Sequence, residues 1–154
     1  MTRLVVVDTN VLVAALLTPQ TDSPTARTLD AMLDGSLMFL LSPDLLVEYR
    51  AVLLRPKLAQ RHGLTETEVD ELLAAITANA IWRELPAASL LSGNPAPLTG
   101  SSTEHFPPDA GDAHLWALLA GEPAAVLITG DLLLLNKPYP NRVLMQPRQF
   151  WEAG

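Results

Sequence analysis

The stretch LVVVDTN at residues 4–10 limits the possible folds of this chain more than any other. Leu4 to Val7 is a continuous apolar run rich in β-branched residues, which predicts a strand covered on both faces. A carboxylate directly after such a strand costs free energy unless a partner compensates it. Asp8 is therefore either a turn or helix-capping residue, or a group that holds a metal or a reacting group.

Strand and helix patterns alternate along the rest of the chain. Further strands are predicted at residues 36–41, 80–85, 124–129 and 142–145. Helices are predicted between them, with N-caps and a capping box recognisable at Ser23, Ser42, Thr65 and Glu68. This alternation predicts an α/β sandwich around a mostly parallel sheet.

The length of 154 residues suits one domain, 1–154, with a substantial core. Residues 91–109 are rich in Pro, Gly, Ser and Thr and are expected to form a long internal loop. The absence of cysteine excludes a disulfide framework and a thiolate metal site, and it fits a reducing cytosol. No signal peptide and no membrane span are expected.

The net charge of −7 has the wrong sign for holding nucleic acid through bulk electrostatics. Binding to nucleic acid would need a local basic patch or a bound cation. One candidate patch follows Glu48 in the sequence and consists of Arg50, Arg55, Lys57 and Arg61. Such a run is usually only a solvated face, but its position beside an acid that could bind metal makes phosphate guidance a reasonable hypothesis.

Two predicted strands end in aspartate. Asp8 follows the first strand, and Thr129, Gly130 and Asp131 follow or end the strand at 124–129. In open parallel sheets, ligands bind beyond the carboxyl ends of the strands. If these two strands are neighbours, both aspartates face one crevice, which favours a shared site over two unrelated turn residues.

Three further acids are candidates, each with an ordinary structural explanation. Glu48 lies on a predicted helix, where a lone Glu is usually solvated. Asp112 and Asp109 precede or open the helix at 111–120, where an acid also serves as a cap or interacts with the helix dipole.

Convergence of Asp8, Glu48, Asp112 and Asp131 would place strong demands on the site. Two unit charges about 4 Å apart repel by roughly 4 kcal/mol at an effective dielectric near 20. Some of the carboxyl groups must then be protonated, or the pocket must bind a hard divalent cation. Oxygen ligands without cysteine suit Mg²⁺ or Mn²⁺, and paired metals of this kind cleave phosphodiesters.

Four segments of the chain resemble the PIN domain family: VVVDTNVLVAAL, SPDLLVEYRAVLLRPKL, DAGDAHLWALLAG and AAVLITGDLLLL. They occur in the family's order and span most of the chain. The similarity is strongest to the branch of toxin components of toxin–antitoxin systems, related to VapC-type toxins. The resemblance implies a PIN-like three-layer sandwich, with a mostly parallel sheet flanked by helices.

The resemblance also implies a Mg²⁺- or Mn²⁺-dependent endoribonuclease. Its four catalytic and metal-binding acids, by position, are Asp8, Glu48, Asp112 and Asp131. Asn10 matches the polar residue that orients the first acid, and Thr129 matches the hydroxyl residue two before the last. RNA as substrate, a homodimer, a small antitoxin protein as partner and a cytoplasmic location are implied as well.

The third acid stays open between Asp112 and Asp109, because the loop at 91–109 is longer than usual for the family. Asp112 has the better register with the following helix. His114 is expected to be a partly exposed helix residue, and His105 has no assigned role.

Other functions remain as alternatives. A phosphohydrolase with Asp8 as nucleophile would want a second acid where Asn10 stands. A receiver-type phosphoacceptor domain would need an acid pair near Asp8 and a late lysine at a strand end, whereas Lys137 follows a leucine run. A non-enzymatic PIN-like binding module is the stronger alternative, since a complete set of acids does not demonstrate turnover.

Overall fold

The computed structural model describes residues 3–84, 113–137 and 143–153. Strands and helices alternate there, in the order β1 (Leu4–Val7), α1 (Thr9–Leu17), α2 (Pro24–Asp34), β2 (Met38–Leu41), α3 (Pro43–Leu53), α4 (Pro56–His62), α5 (Glu66–Asn79), β3 (Ile81–Trp82), α6 (Ala113–Gly121), β4 (Val126–Ile128), α7 (Leu132–Asn136), β5 (Val143–Met145) and α8 (Pro147–Ala153). The loop expected at 91–109, together with His105, Asp109 and Asp112, lies outside the described residues.

The described strands form one sheet in the order β3-β2-β1-β4-β5, and every neighbouring pair is parallel. Helices flank this sheet, so the predicted α/β sandwich is confirmed. The central strand is β1, which agrees with the prediction of a strand covered on both faces. Val5, Val6 and Val7 are completely buried there.

β1 is the point in the sheet at which the order of strand addition changes from one side to the other. From β1 the chain proceeds to β2 and β3 on one side, whereas β4 and β5 add to the other side. Val7 of β1 is in register with Ile128 of β4, so the two strands end side by side. A reversal of this kind opens a crevice at the carboxyl ends of the two strands, where ligands of open α/β sheets bind.

The predicted helix starts are confirmed in detail. The Ser23 and Ser42 hydroxyls each accept a hydrogen bond from a backbone N–H in the first turn of α2 and α3. Thr65 and Glu68 form a complete capping box at the start of α5. Gly35 ends α2 in the left-handed conformation at φ 82°, which a residue without a Cβ adopts at little cost.

Three described helices were not predicted from the sequence: α4, α7 and α8. The helix expected to run through residue 55 ends at Leu53, and α4 begins at Pro56. Proline has no N–H to continue the helix and keeps the preceding Arg55 in an extended conformation, with ψ 132°. None of the described helices is long and apolar enough to cross a membrane.

Candidate active site

Asp8 lies at the carboxyl end of the central strand and is only 4% exposed. It is the N-cap of α1, because its Oδ1 accepts a hydrogen bond of 2.8 Å from the backbone N–H of Thr9. Asp8 is therefore a helix-capping residue, which was one of the two interpretations of its position in the sequence. Capping uses only one of its two carboxylate oxygens, Oδ1.

The second oxygen of Asp8 binds two side chains. Asp8 Oδ2 accepts hydrogen bonds from Thr129 Oγ1 at 2.8 Å and from Asn10 Nδ2 at 3.1 Å. The Thr129 hydroxyl in turn accepts from the backbone N–H of Asp131 at 3.0 Å and from Asn10 Nδ2 at 3.3 Å. A hydroxyl has one proton and two lone pairs, so every hydrogen-bonding position of Thr129 is occupied.

Asn10 joins the start of α1 to the turn after β4. Its Oδ1 accepts a hydrogen bond of 2.9 Å from the Gly130 backbone N–H, while its amide nitrogen donates to Asp8 and Thr129. A Cβ at Gly130 would lie 3.4 Å from Asn10 Oδ1, which is close contact. The position of the first acid is therefore fixed from both strands.

Asp131, the last candidate acid, follows β4 and begins α7. Its Oδ1 accepts a hydrogen bond of 2.9 Å from the Leu133 backbone N–H. The residue is partly exposed, in contrast to Asp8. Its charge nevertheless acts on Asp8 through space, which brings the two aspartates into one electrostatic site.

Glu48 reaches the same crevice from α3. One of its carboxylate oxygens, Oε2, accepts a short hydrogen bond from the Thr9 hydroxyl. The other, Oε1, lies 3.0 Å from His114 Nε2 on α6. A carboxylate can only accept, so the imidazole nitrogen donates.

Thr9 and His114 are partners of Glu48 that were not predicted from the sequence. Thr9 stands between two recognised site residues, and its position there was the only available signal. The His114 side chain, expected to be partly exposed, is 12% exposed and lies against Glu48. No local pattern predicts a contact between residues 66 positions apart.

Tyr49 connects α3 to the strand that carries Asp8. Its hydroxyl donates a hydrogen bond of 2.6 Å to the Val7 backbone carbonyl, and the side chain is completely buried. Burial raises the pKa of Tyr49 well above its ordinary value, with further contributions from the charges of Asp8 and Glu48. The hydroxyl therefore stays protonated and continues to donate.

The two best described acids are perturbed in opposite directions. Burial raises the pKa of Asp8, the hydrogen bonds from Thr129 and Thr9 partly oppose it, and the charges of Glu48 and Asp131 raise it further. The hydrogen bond from His114 lowers the pKa of Glu48, burial opposes it, and Thr9 and the charges of His114 and Arg55 add to the lowering. The surroundings of Asp8 therefore oppose its negative charge, whereas His114 and Arg55 stabilise the negative charge of Glu48.

Three of the four candidate acids share one electrostatic site, since Glu48 and Asp131 both act on Asp8. The fourth acid, Asp112 or Asp109, lies outside the described residues. Across residues 3–84, 113–137 and 143–153, no group of three or more His, Asp or Glu side chains is close enough to hold a metal ion. The donor set consists of hard carboxylate oxygens, which fits Mg²⁺ or Mn²⁺ in chemical type.

The four basic candidates divide into two groups. Arg50 forms salt bridges with Glu66 at 2.5 Å and with Asp70 at 2.7 Å, both on α5. Arg55, Lys57 and Arg61 instead line an open surface cavity of about 720 Å³ at α4. We call these three residues the α4 basic surface. Its member Arg55 is close enough to Glu48 to lower the pKa of that acid.

Comparison with known proteins supports the resemblance noted from the sequence. A family model described as PIN domain matches residues 4–133 of this chain. That range includes Asp8, Glu48, Asp131 and both candidates for the third acid. No curated protein and no solved structure gives a significant match.

Proposed function

The chain belongs to the PIN domain family, and on that premise we propose that it is a metal-dependent endoribonuclease. Family membership points to nuclease activity in general. The hydrolysis of RNA, the dependence on Mg²⁺ or Mn²⁺ and the assignment of individual residues are our proposals. The observation that carries them is a buried Asp8 at the carboxyl end of β1, held in place by Asn10 and Thr129 and opposed in its charge by Glu48 and Asp131.

A bound cation would stabilise the ionised form of Asp8 in this position. In the metal-free protein the charges of Glu48 and Asp131 make ionisation of Asp8 more costly. We propose that Asp8, Glu48, Asp131 and Asp112 hold the metal, with Asp109 as the alternative to Asp112. A bound Mg²⁺ or Mn²⁺ would supply Lewis-acid stabilisation of the phosphate and a water of lowered pKa.

The protein's own groups prepare the site for that cation. Asn10 and Thr129 occupy Asp8 Oδ2 and fix its orientation, while Oδ1 has a single described partner. Thr9 and His114 hold the two oxygens of Glu48. Preorganised ligands of this kind lose little free energy of ordering when the metal binds.

The α4 basic surface gives the acidic chain a local place for phosphate. Its three cations follow Glu48 by 7 to 13 residues in the sequence, and Arg55 is close enough for its charge to lower the pKa of Glu48. A phosphodiester at the metal site would then extend toward Arg55, Lys57 and Arg61. Arg50 is a weaker candidate because it is engaged with Glu66 and Asp70.

The test is cleavage of labelled RNA by the purified chain with Mg²⁺, with Mn²⁺ and with EDTA. Cleavage should require metal and should be lost in Asp8→Asn and Asp131→Asn. The pair Asp109→Asn and Asp112→Asn decides the third acid, since only one of the two should abolish cleavage. Asp44→Asn, an exposed acid in the first turn of α3, is the matched control.

A non-enzymatic PIN-like binding module is the second candidate. It is favoured by the hydrogen bonds from Thr9 and His114, which satisfy both carboxylate oxygens of Glu48 without a metal. RNA binding without cleavage, unchanged by metal and by Asp8→Asn, would support it. Metal-dependent cleavage that requires Asp8 would exclude it.

We also propose that the chain is the toxin of a toxin–antitoxin pair, on the strength of the four VapC-like segments. Expression in a bacterial host should arrest growth, and Asp8→Asn should not. We propose a homodimer as well, supported by the exposed apolar Val47 on α3 and by an open cavity of about 480 Å³ with apolar lining residues on α3 and α5. Light scattering after size exclusion measures that directly, and Val47→Glu should dissociate the dimer.

A further inference from the structure

A third cavity, of about 440 Å³, opens beside the acidic residues at the carboxyl end of β4. Its walls come from α1, from the first turn of α2, from the turn after β4 and from the start of α8. Its main lining side chains are the polar Asn10, Thr25 and Asp131 and the apolar Val11, Ala14 and Pro147. We call it the α1–α2 cavity.

The α1–α2 cavity differs in charge from the α4 basic surface. No Lys, Arg or His is among its described lining residues, and one of them is the acid Asp131. A phosphate group is therefore a poor occupant. A neutral group with apolar faces and a polar edge matches these walls, and the volume lies in the usual range for small-ligand sites.

The cavity is continuous with the acidic site. Asn10 and Asp131 line it, and both belong to the hydrogen-bond network around Asp8 and Thr129. Glu48, with Arg55 near it, belongs to α3, an element that does not line the cavity. A strand whose phosphates follow the α4 basic surface and cross the acids would bring a nucleotide to this cavity.

We infer that the α1–α2 cavity is the subsite for the base of a nucleotide that flanks the scissile phosphodiester bond. The inference rests on the proposed function and specifies its substrate further. A base can enter the cavity only when it is unpaired, so the substrate is single-stranded RNA or a loop. Apolar walls contact the faces of any base, which gives affinity with limited selectivity.

Selectivity among bases falls to Thr25. The amide of Asn10 is already bonded to Asp8, Thr129 and Gly130 and has no free donor for a base. The Thr25 hydroxyl lies 3.3 Å from Ser23 Oγ, a contact in which either oxygen can donate. It can therefore present a donor or an acceptor to the edge of a base.

The test uses two oligoribonucleotides of one sequence, one intact and one with an abasic residue beside the mapped cleavage position. Both are measured with wild type, with Ala14→Leu, which fills the cavity, and with Ala120→Leu. Ala120 is exposed near the end of α6, does not line the cavity and controls for the same change in size. Thr25→Leu narrows the cavity from α2 and serves as a second filling variant.

The loss of the base should lower kcat/KM of wild type and of Ala120→Leu about tenfold or more, because the base no longer buries apolar surface against Val11, Ala14 and Pro147. Ala14→Leu and Thr25→Leu should cleave the intact strand correspondingly slowly and should not distinguish the two strands, since both changes remove the same contact. Equal cleavage of the two strands by wild type, or full sensitivity to the base in both filling variants, would overturn the subsite.

Binding in EDTA of the intact strand and of strands with one abasic residue at each position in turn separates the two proposals, because it needs no mapped cleavage position. If wild type binds the intact strand more tightly than one of the abasic strands and Ala14→Leu does not, the subsite stands even when no metal produces cleavage. That combination would contradict only the endoribonuclease. Metal-dependent cleavage with no influence of the base at any position would contradict only the subsite.

Discussion

Thr129 donates its hydroxyl proton to Asp8 Oδ2 across 2.8 Å and so joins two residues 121 positions apart in the chain. The contact exists because β1 and β4 are paired in parallel, with Val7 opposite Ile128, and each polar residue directly follows its strand. Thr129 is completely buried, so this bond has no competition from water. It supports the acid at the centre of the site.

Replacing Thr129 by valine should weaken metal binding and cleavage about 10- to 100-fold, as expected when a residue that orients a metal ligand is lost. Valine keeps the shape but removes the donor to Asp8 and the acceptor for the Asp131 N–H. Thr129→Ser keeps the hydroxyl and should retain most of the affinity. Calorimetry with Mn²⁺ measures this without turnover. Equal affinities in the two variants would contradict an orienting role.

The stability of the metal-free protein should reveal the raised pKa of Asp8. Between the unfolded pKa of about 3.9 and the higher folded value, the folded state binds more protons, so stability falls as pH rises. Because asparagine does not titrate, the Asp8→Asn variant does not lose stability in this way as pH rises. The free energy of unfolding of the variant, relative to wild type, should therefore increase as pH rises from about 4 through the folded pKa of Asp8, and level off above it.

Urea unfolding in EDTA across that pH range measures the difference. Asp44→Asn, on the exposed first turn of α3, corrects for the removal of any carboxylate. A difference between Asp8→Asn and wild type that does not change with pH would show that burial and the neighbouring charges do not perturb Asp8.

His114→Leu should weaken metal binding through Glu48. The substitution removes the hydrogen bond that contributes most to the lowered pKa of Glu48 and leaves Thr9 as its remaining described hydrogen-bond partner. We expect a loss in Mn²⁺ affinity of about tenfold or more. His114→Gln can still donate and should restore much of it. If both variants bind Mn²⁺ like wild type, His114 has no influence on the acid.

The basic residues should separate by the salt dependence of RNA binding. Lys57→Gln and Arg55→Gln should each lower the slope of log K against log salt by about 1, one phosphate contact each. Arg50→Gln should leave the slope unchanged and lower stability slightly, because Arg50 is paired with α5. Fluorescence anisotropy over a salt series measures the slopes. A larger effect from Arg50→Gln would reverse the assignment of the RNA-binding surface.

Helices α1, α2, α3 and α5 and the strands follow largely from the sequence, because their signals are local. The run from Leu4 to Val7 predicts a covered strand through its composition alone. Ser23, Ser42 and Thr65 announce helix starts because their side chains bond to N–H groups three residues ahead. The predicted alternation was enough for the fold class. The missed helices α4, α7 and α8 are short, which leaves few residues to carry a pattern.

The candidate site could be predicted from the sequence only in part. The sequence identified Asp8, Glu48 and Asp131 as acids at informative positions, but could not establish that they share one electrostatic site. It also suggested Arg50 for phosphate binding, and the structure engages Arg50 with Glu66 and Asp70 instead. The partner of Arg50 depends on how α3 packs against α5, and a local sequence pattern does not specify that packing.

The sequence by itself determined the strands and the longer helices, where several helices begin, and that acids follow two of the strands. Only the tertiary structure decided that β4 lies beside β1, that Thr129 bonds to Asp8 and that His114 bonds to Glu48. Local structure depends on hydrogen bonds and side-chain periodicity within a few residues. These contacts join residues 66 to 121 positions apart, so they form only when the strands pair and the helices pack onto the sheet.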